Sequence, residues 1–79
     1  MLLESMQVLI QNCDTHEFYA GPNGWSRSAA EAKDFLGTLP ALETIRRENL
    51  RRAQIVLKFS RSDMDIVLEL GDCKDVARN

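Results

Sequence analysis

Between Phe18 and Phe35 the chain reads FYAGPNGWSRSAAEAKDF, and no other stretch narrows the choice of fold as much. Gly21-Pro22-Asn23-Gly24 is the strongest breaker in the sequence, a place where neither helix nor strand continues. It follows an alternating run, Glu17 to Ala20, in which Tyr19 points opposite to Phe18 and Ala20. Beyond it stands Ser28-Ala-Ala-Glu31, the spacing with which a helix start satisfies its orphan amides. The segment therefore predicts a strand, a turn and a short helix, with Trp25 at the corner.

The flanking patterns extend this outline. Met6, Val8 and Ile10 alternate with Gln7 and Leu9, the period-two mark of a half-buried strand. Asn12 to His16 is polar and suits an Asx-type turn, so a β-hairpin is expected over 6–20. Ser28 to about Asp34 supplies two helical turns, with Ala29, Ala32 and Phe35 on an inward stripe. Gly37 stops that helix, and Thr38-Leu39-Pro40 begins a longer one, since proline is tolerated in a first turn. Its apolar face is Leu39, Leu42, Ile45, Asn49 and Leu50, and the pattern carries it to about Arg52. Glu43–Arg47 and Glu48–Arg52 stand four apart, a spacing that contributes about 0.2–0.5 kcal/mol per pair. Gln54 to Ser60 is the cleanest strand, with Ile55, Leu57 and Phe59 on one side. After a polar turn at 61–64, Asp65 to Leu70 mirrors it, with Ile66, Leu68 and Leu70 inside and Gly71 as its end.

The order ββ-αα-ββ predicts an α+β fold: a four-stranded antiparallel sheet with a short and a longer helix on one face. Val8, Ile10, Phe18, Ile55, Leu57, Phe59, Ile66, Leu68 and Leu70 would then lie beneath Leu42 and Ile45. All 79 residues form one domain, with the core at 6–71 and mobile tails at 1–5 and 72–79. An apolar content of 44% and a charged content of 28% argue against disorder. A net charge of −2 points to no strongly charged partner. No apolar run approaches the roughly 20 residues of a membrane span, and the start lacks a basic signal-peptide region. Cys13 and Cys73 are too few for a disulfide framework, so a reduced, cytoplasmic setting is expected.

Tyr19-Ala20, Gly24-Trp25, Ala32 and Phe35, with the strand around Ile66–Leu70, carry a resemblance. The chain resembles a loose group of small, uncharacterised bacterial and phage ββαββ proteins. In these a hairpin ends in a Gly-rich turn, a Trp follows, and an A-x-x-F helix start leads to a longer helix and terminal strand. The resemblance implies core roles for Trp25 and Phe35 and implies no activity.

Five features bear on function. Trp25 is either a recognition anchor or a plug packed on Phe35 and Phe18, the commoner use of a lone Trp in a small core. Cys13-x-x-His16 has two ligand types of a zinc site but no second pair to complete four, so a polar turn is expected, with no metal and no cofactor. As a nucleophile pair it lacks an orienting third group, and no catalytic residue is expected. Arg46, Arg47, Arg51 and Arg52 form a possible phosphate-binding strip for nucleic acid, but interspersed glutamates favour a solvated, ion-paired face. The acidic end, Asp63, Asp65, Glu69, Asp72 and Asp75, does not match a calcium loop. Leu9, Tyr19, Val56 and Val67 project away from the helix in this arrangement and would form an apolar strip on the open sheet face. The expectation is a non-enzymatic module that binds a protein partner, or itself, through that face or a sheet edge.

Overall fold

The computed structural model of the chain describes residues 6–22, 24–59, 65–71 and 73. The expected tails at 1–5 and 74–79 and the turn at 61–64 lie outside the described residues. The strands are β1 (Met6–Asn12), β2 (Phe18–Tyr19), β3 (Trp25–Ser26), β4 (Ala53–Phe59) and β5 (Ile66–Leu68). A single 3-10 turn (Ala29–Glu31) and one main helix, α1 (Thr38–Arg47), separate β3 from β4. The sheet is antiparallel in the order β3-β2-β1-β4-β5. The α+β class and the antiparallel sheet are as expected. Four strands and two helices are not: there is a fifth strand, and the first helix shrinks to one turn.

Glycine makes the fifth strand. Gly21 and Gly24 adopt φ values of 126° and 147°, which side chains with a Cβ rarely reach. The chain thereby doubles back, and the Ala20 amide donates to the Gly24 carbonyl at 2.9 Å. Trp25 is placed directly opposite Tyr19 instead of at a corner.

The short helix is curtailed by competition from the sheet. Ser28 caps it as expected, its Oγ accepting from the Ala30 amide at 3.2 Å. Glu31 closes the box through an intermediary: the Ser28 amide donates to Ser26 Oγ, whose hydroxyl donates to Glu31 Oε1. Beyond Glu31 the backbone is drawn elsewhere. The Lys33 amide donates to the Tyr19 carbonyl and the Phe35 amide to the Val8 carbonyl, each at 2.9 Å. Residues 33–35 thus occupy the flank of β1 that the two-residue β2 leaves open.

Helix α1 buries Ala41 and Thr44 with Leu42 and Ile45 partly covered, so the expected stripe is rotated and Leu39 faces solvent. It ends at Arg47, five residues early, because Asn49 takes a left-handed φ of 53°. The Leu50 amide then donates to the Ile45 carbonyl at 2.9 Å and the Asn49 amide to the Arg46 carbonyl at 3.2 Å, the paired bonds of a Schellman stop. Leu50 and Ile45 both pack on the core.

The centre of the molecule is the β1–β4 ladder, in register from Met6↔Phe59 to Asn12↔Ala53. Val8, Ile10, Ala53 and Ile55 from these strands join Tyr19, Phe35 and Ala41 in one buried cluster beneath α1, with Leu57 partly covered. That phase is the expected one for β1 and β4. On β5 it fails to bury its residues: Ile66 and Leu68 are exposed, because α1 packs mainly on β1 and β4.

Candidate functional site

The sheet register decides the fate of the expected apolar strip. Leu9 stands across from Val56, and Val56 across from Val67, so these three form one row on the face away from α1. Tyr19 does not belong to it. The first hairpin loop, in which Asn12 Oδ1 accepts from the Asp14 and Thr15 amides and His16 is left-handed, sets Phe18 opposite Gln11. Tyr19 therefore falls in phase with Ile10, under the helix.

Nor is the row open. Leu9, Val56 and Tyr19 are only 0%, 3% and 4% exposed, and of the four expected contact residues Val67 alone meets solvent. Sequence phase correctly aligned Leu9, Val56 and Val67 but could not show that this face is covered as well. What remains accessible lies at the edge. Ile66, Val67 and Leu68 are 46%, 45% and 38% exposed, and among the described residues no strand lies beyond β5. Asp65 and Glu69 flank this apolar triplet, and Asp65 is bound by Lys58 of β4 at 3.2 Å.

Tyr19 is the hub of the aromatic packing. Trp25 meets it edge-on at 5.7 Å between ring centres, and Phe35 lies 5.8 Å away on a tilted plane. Trp25 is half-buried, and its expected contact with Phe18 is not made, since Phe18 lies in register with Gln11 and Ser26 on the opposite face. The Tyr19 hydroxyl donates to Glu48 Oε1 at 2.5 Å. Burial, and then the neighbouring Glu48 carboxylate, hold its phenol above the ordinary tyrosine value.

Of the four arginines, Arg46 and Arg47 lie on α1, and Arg51 and Arg52 follow its end. Arg46 and Arg47 line a shallow depression with Glu43, and Arg47 approaches the Glu48 carboxylate at 3.8 Å. Arg52 lies beyond the helix end, so the expected Glu48–Arg52 pair gives way to a different one. Arg52 Nε and a terminal guanidinium nitrogen donate to the two Asp14 oxygens at 3.0 and 2.9 Å. That fork holds the Asp14 carboxyl below its usual range. Arg51 is exposed beside it.

Cys13 is bonded to Cys73, with Cα atoms 6.0 Å apart across a sequence separation of 60. The expectation of reduced thiols is overturned, as is that of an unanchored tail at residue 73, which is buried. The bond also removes the Cys13 thiolate that a zinc site or a nucleophile would need. His16 sits exposed in the hairpin loop, and among the described residues no three His, Cys, Asp or Glu side chains are grouped to hold a metal ion.

Two further residues escaped the sequence patterns. Asp34 Oδ1 accepts from the Val8 and Leu36 amides at 3.0 and 2.9 Å, tying the chain before α1 to β1. Leu36 has a left-handed φ of 65° while 83% exposed. Comparison with protein-family models, with curated proteins and with solved structures finds no match to this chain.

Proposed function

We propose that the chain is a small, non-enzymatic interaction module that accepts an extended segment of a protein partner along β5. One observation carries this: three consecutive apolar residues, Ile66, Val67 and Leu68, stay 38–46% exposed on the outermost described strand. An outer strand offers main-chain groups to a further strand, and such β-augmentation draws affinity from those bonds and specificity from side chains. Charge favours a different chain over a second copy. Antiparallel self-pairing about Val67 would set Asp65 against Glu69 of the other copy, and like charges across a ladder are unfavourable. A partner strand with lysine or arginine around its apolar centre suits these flanks.

Titration with two synthetic peptides tests this, both with an alternating Val/Ile centre, one flanked by lysines and the other by glutamates. The lysine-flanked peptide should bind and the other should not, and Val67→Lys should abolish binding while the circular dichroism is unchanged. Binding of neither peptide, or a concentration-dependent dimer by light scattering, argues against this occupant.

A second reading, nucleic-acid association, is favoured by the exposure of Arg46, Arg47 and Arg51. It requires oligonucleotide binding that weakens steeply with salt. No helix among the described residues is long and apolar enough to cross a membrane. The Cys13–Cys73 bond supports an oxidising compartment over the reducing cytoplasm expected from the cysteine count.

A further inference from the structure

We infer that Cys13–Cys73 is a redox latch that straps β5 against β4, so that reduction by a dithiol releases β5 and opens the edge of β4. Three placements carry this. First, β5 is weakly held in its own right. Among the described residues it makes three residue pairs with β4, against seven between β4 and β1, and its side chains are exposed. Second, the bond spans β4. Cys13 directly follows β1, on one side of β4, whereas Cys73 follows β5, on the other. From Leu68 the chain reaches Cys73 in five residues, the Cys73 amide donating to the Leu70 carbonyl at 2.8 Å. Third, the β4 residues that pair with β5 are better covered than β5 itself. Ile55 and Val56, which face Leu68 and Val67, are buried. Release of β5 would present this longer strand, with Ile55, Val56 and Leu57 at its centre, as the outer edge.

The chemistry is thiol–disulfide exchange. One thiolate of the dithiol attacks a sulfur of the bond, forming a mixed disulfide and expelling the other cysteine as thiolate. The second thiol of the reductant closes on the mixed disulfide. Two electrons pass to the protein, which gains two thiols, and the reductant leaves as a cyclic disulfide. This proposal rests on the edge-binding reading for its consequence, not for the latch itself.

Amide hydrogen exchange, followed residue by residue on the full chain, separates the two. With dithiothreitol added, Ile66–Leu68 should exchange at least about tenfold faster, while Val8–Ile10 keep their protection. Cys73→Ser should reproduce the same pattern without reductant. Equal protection of β5 in both states overturns the latch, as does a matching loss across β1, which would mark a general staple. Faster exchange of β5 together with weaker binding of the lysine-flanked peptide supports latch and edge reading alike, because Asp65, Val67 and Glu69 leave the edge with β5. Faster exchange with no peptide binding in either state upholds the latch and sinks the edge reading.

Discussion

Asp34 shows how much of this fold depends on one carboxylate oxygen. Val8 is wholly buried, and β2 is too short to supply a partner for its amide, so Asp34 Oδ1 takes that place while also holding Leu36. In Asp34→Ala a buried donor loses its acceptor, at a cost of about 1–3 kcal/mol. Asp34→Asn keeps a carbonyl oxygen and should recover most of the loss; urea midpoints of the two variants decide this. Leu36 is the converse case, a side chain with almost nothing to lose. It adopts the left-handed region with a Cβ in place, an arrangement that costs roughly 1–2 kcal/mol. Leu36→Gly relieves that, and after the added freedom of the unfolded glycine a net gain of about 0.5–1 kcal/mol should appear in the same assay. Legibility differed sharply between neighbouring residue types. The Asn12 turn and the Gly21–Gly24 breaker announce themselves because their side chains, or lack of one, favour those conformations. Leucine carries no such signal, so the sequence does not mark Leu36. Asp34 was equally silent, since an aspartate near a helix end ordinarily reads as a cap.

Elements were legible where two signals agreed and misjudged where one stood alone. On β1 and β4 the alternation assigns each residue to its correct face, because both strands lie at the centre of the sheet under α1, although Leu9 and Val56 on the other face are buried as well. On β2 the phase was inverted, since a loop containing a left-handed His16 shifts register by one residue and every side chain changes face. The helix end failed for a related reason. Asn49 fits the apolar spacing of the stripe, yet asparagine also tolerates the left-handed conformation that terminates helices, and here the second property prevails. Asn49→Ala therefore tests which property matters. Alanine is the better helix former but is strained at a φ of 53°, so the variant should lose about 1 kcal/mol instead of gaining helix. Asn49→Gly should be neutral or slightly stabilising. Circular dichroism at 222 nm would show whether either variant lengthens α1, and a longer helix in the alanine variant would count against the stop.

Across the whole molecule, the end of the sheet carrying Cys13, Asp14 and Arg52 is where distant segments are joined. Its electrostatic half titrates. The Arg52 fork lowers the Asp14 value below that of the unfolded chain, so the stability it adds is complete above about pH 4. It is lost as pH falls through the lowered value. Urea midpoints between pH 5 and 2 should decline, and Asp14→Asn should flatten that decline. The covalent half was hidden from the sequence because cysteine number alone does not say whether two thiols 60 residues apart will meet; the sheet order brings them together. A cross-link over that separation removes about 4 kcal/mol of unfolded-chain entropy in the simplest treatment. Total stability for 79 residues is of the order of 4–12 kcal/mol, so a rigid staple would be close to indispensable. A latch behaves differently. Once Cys73 is freed, the native state also regains conformational freedom in β5 and the residues after it, which offsets part of the unfolded-state gain. Cys73→Ser should then cost only about 1–3 kcal/mol and leave a cooperative urea transition. A loss of the full entropic figure would mean that β5 stays docked without its bond, and that the disulfide serves stability alone.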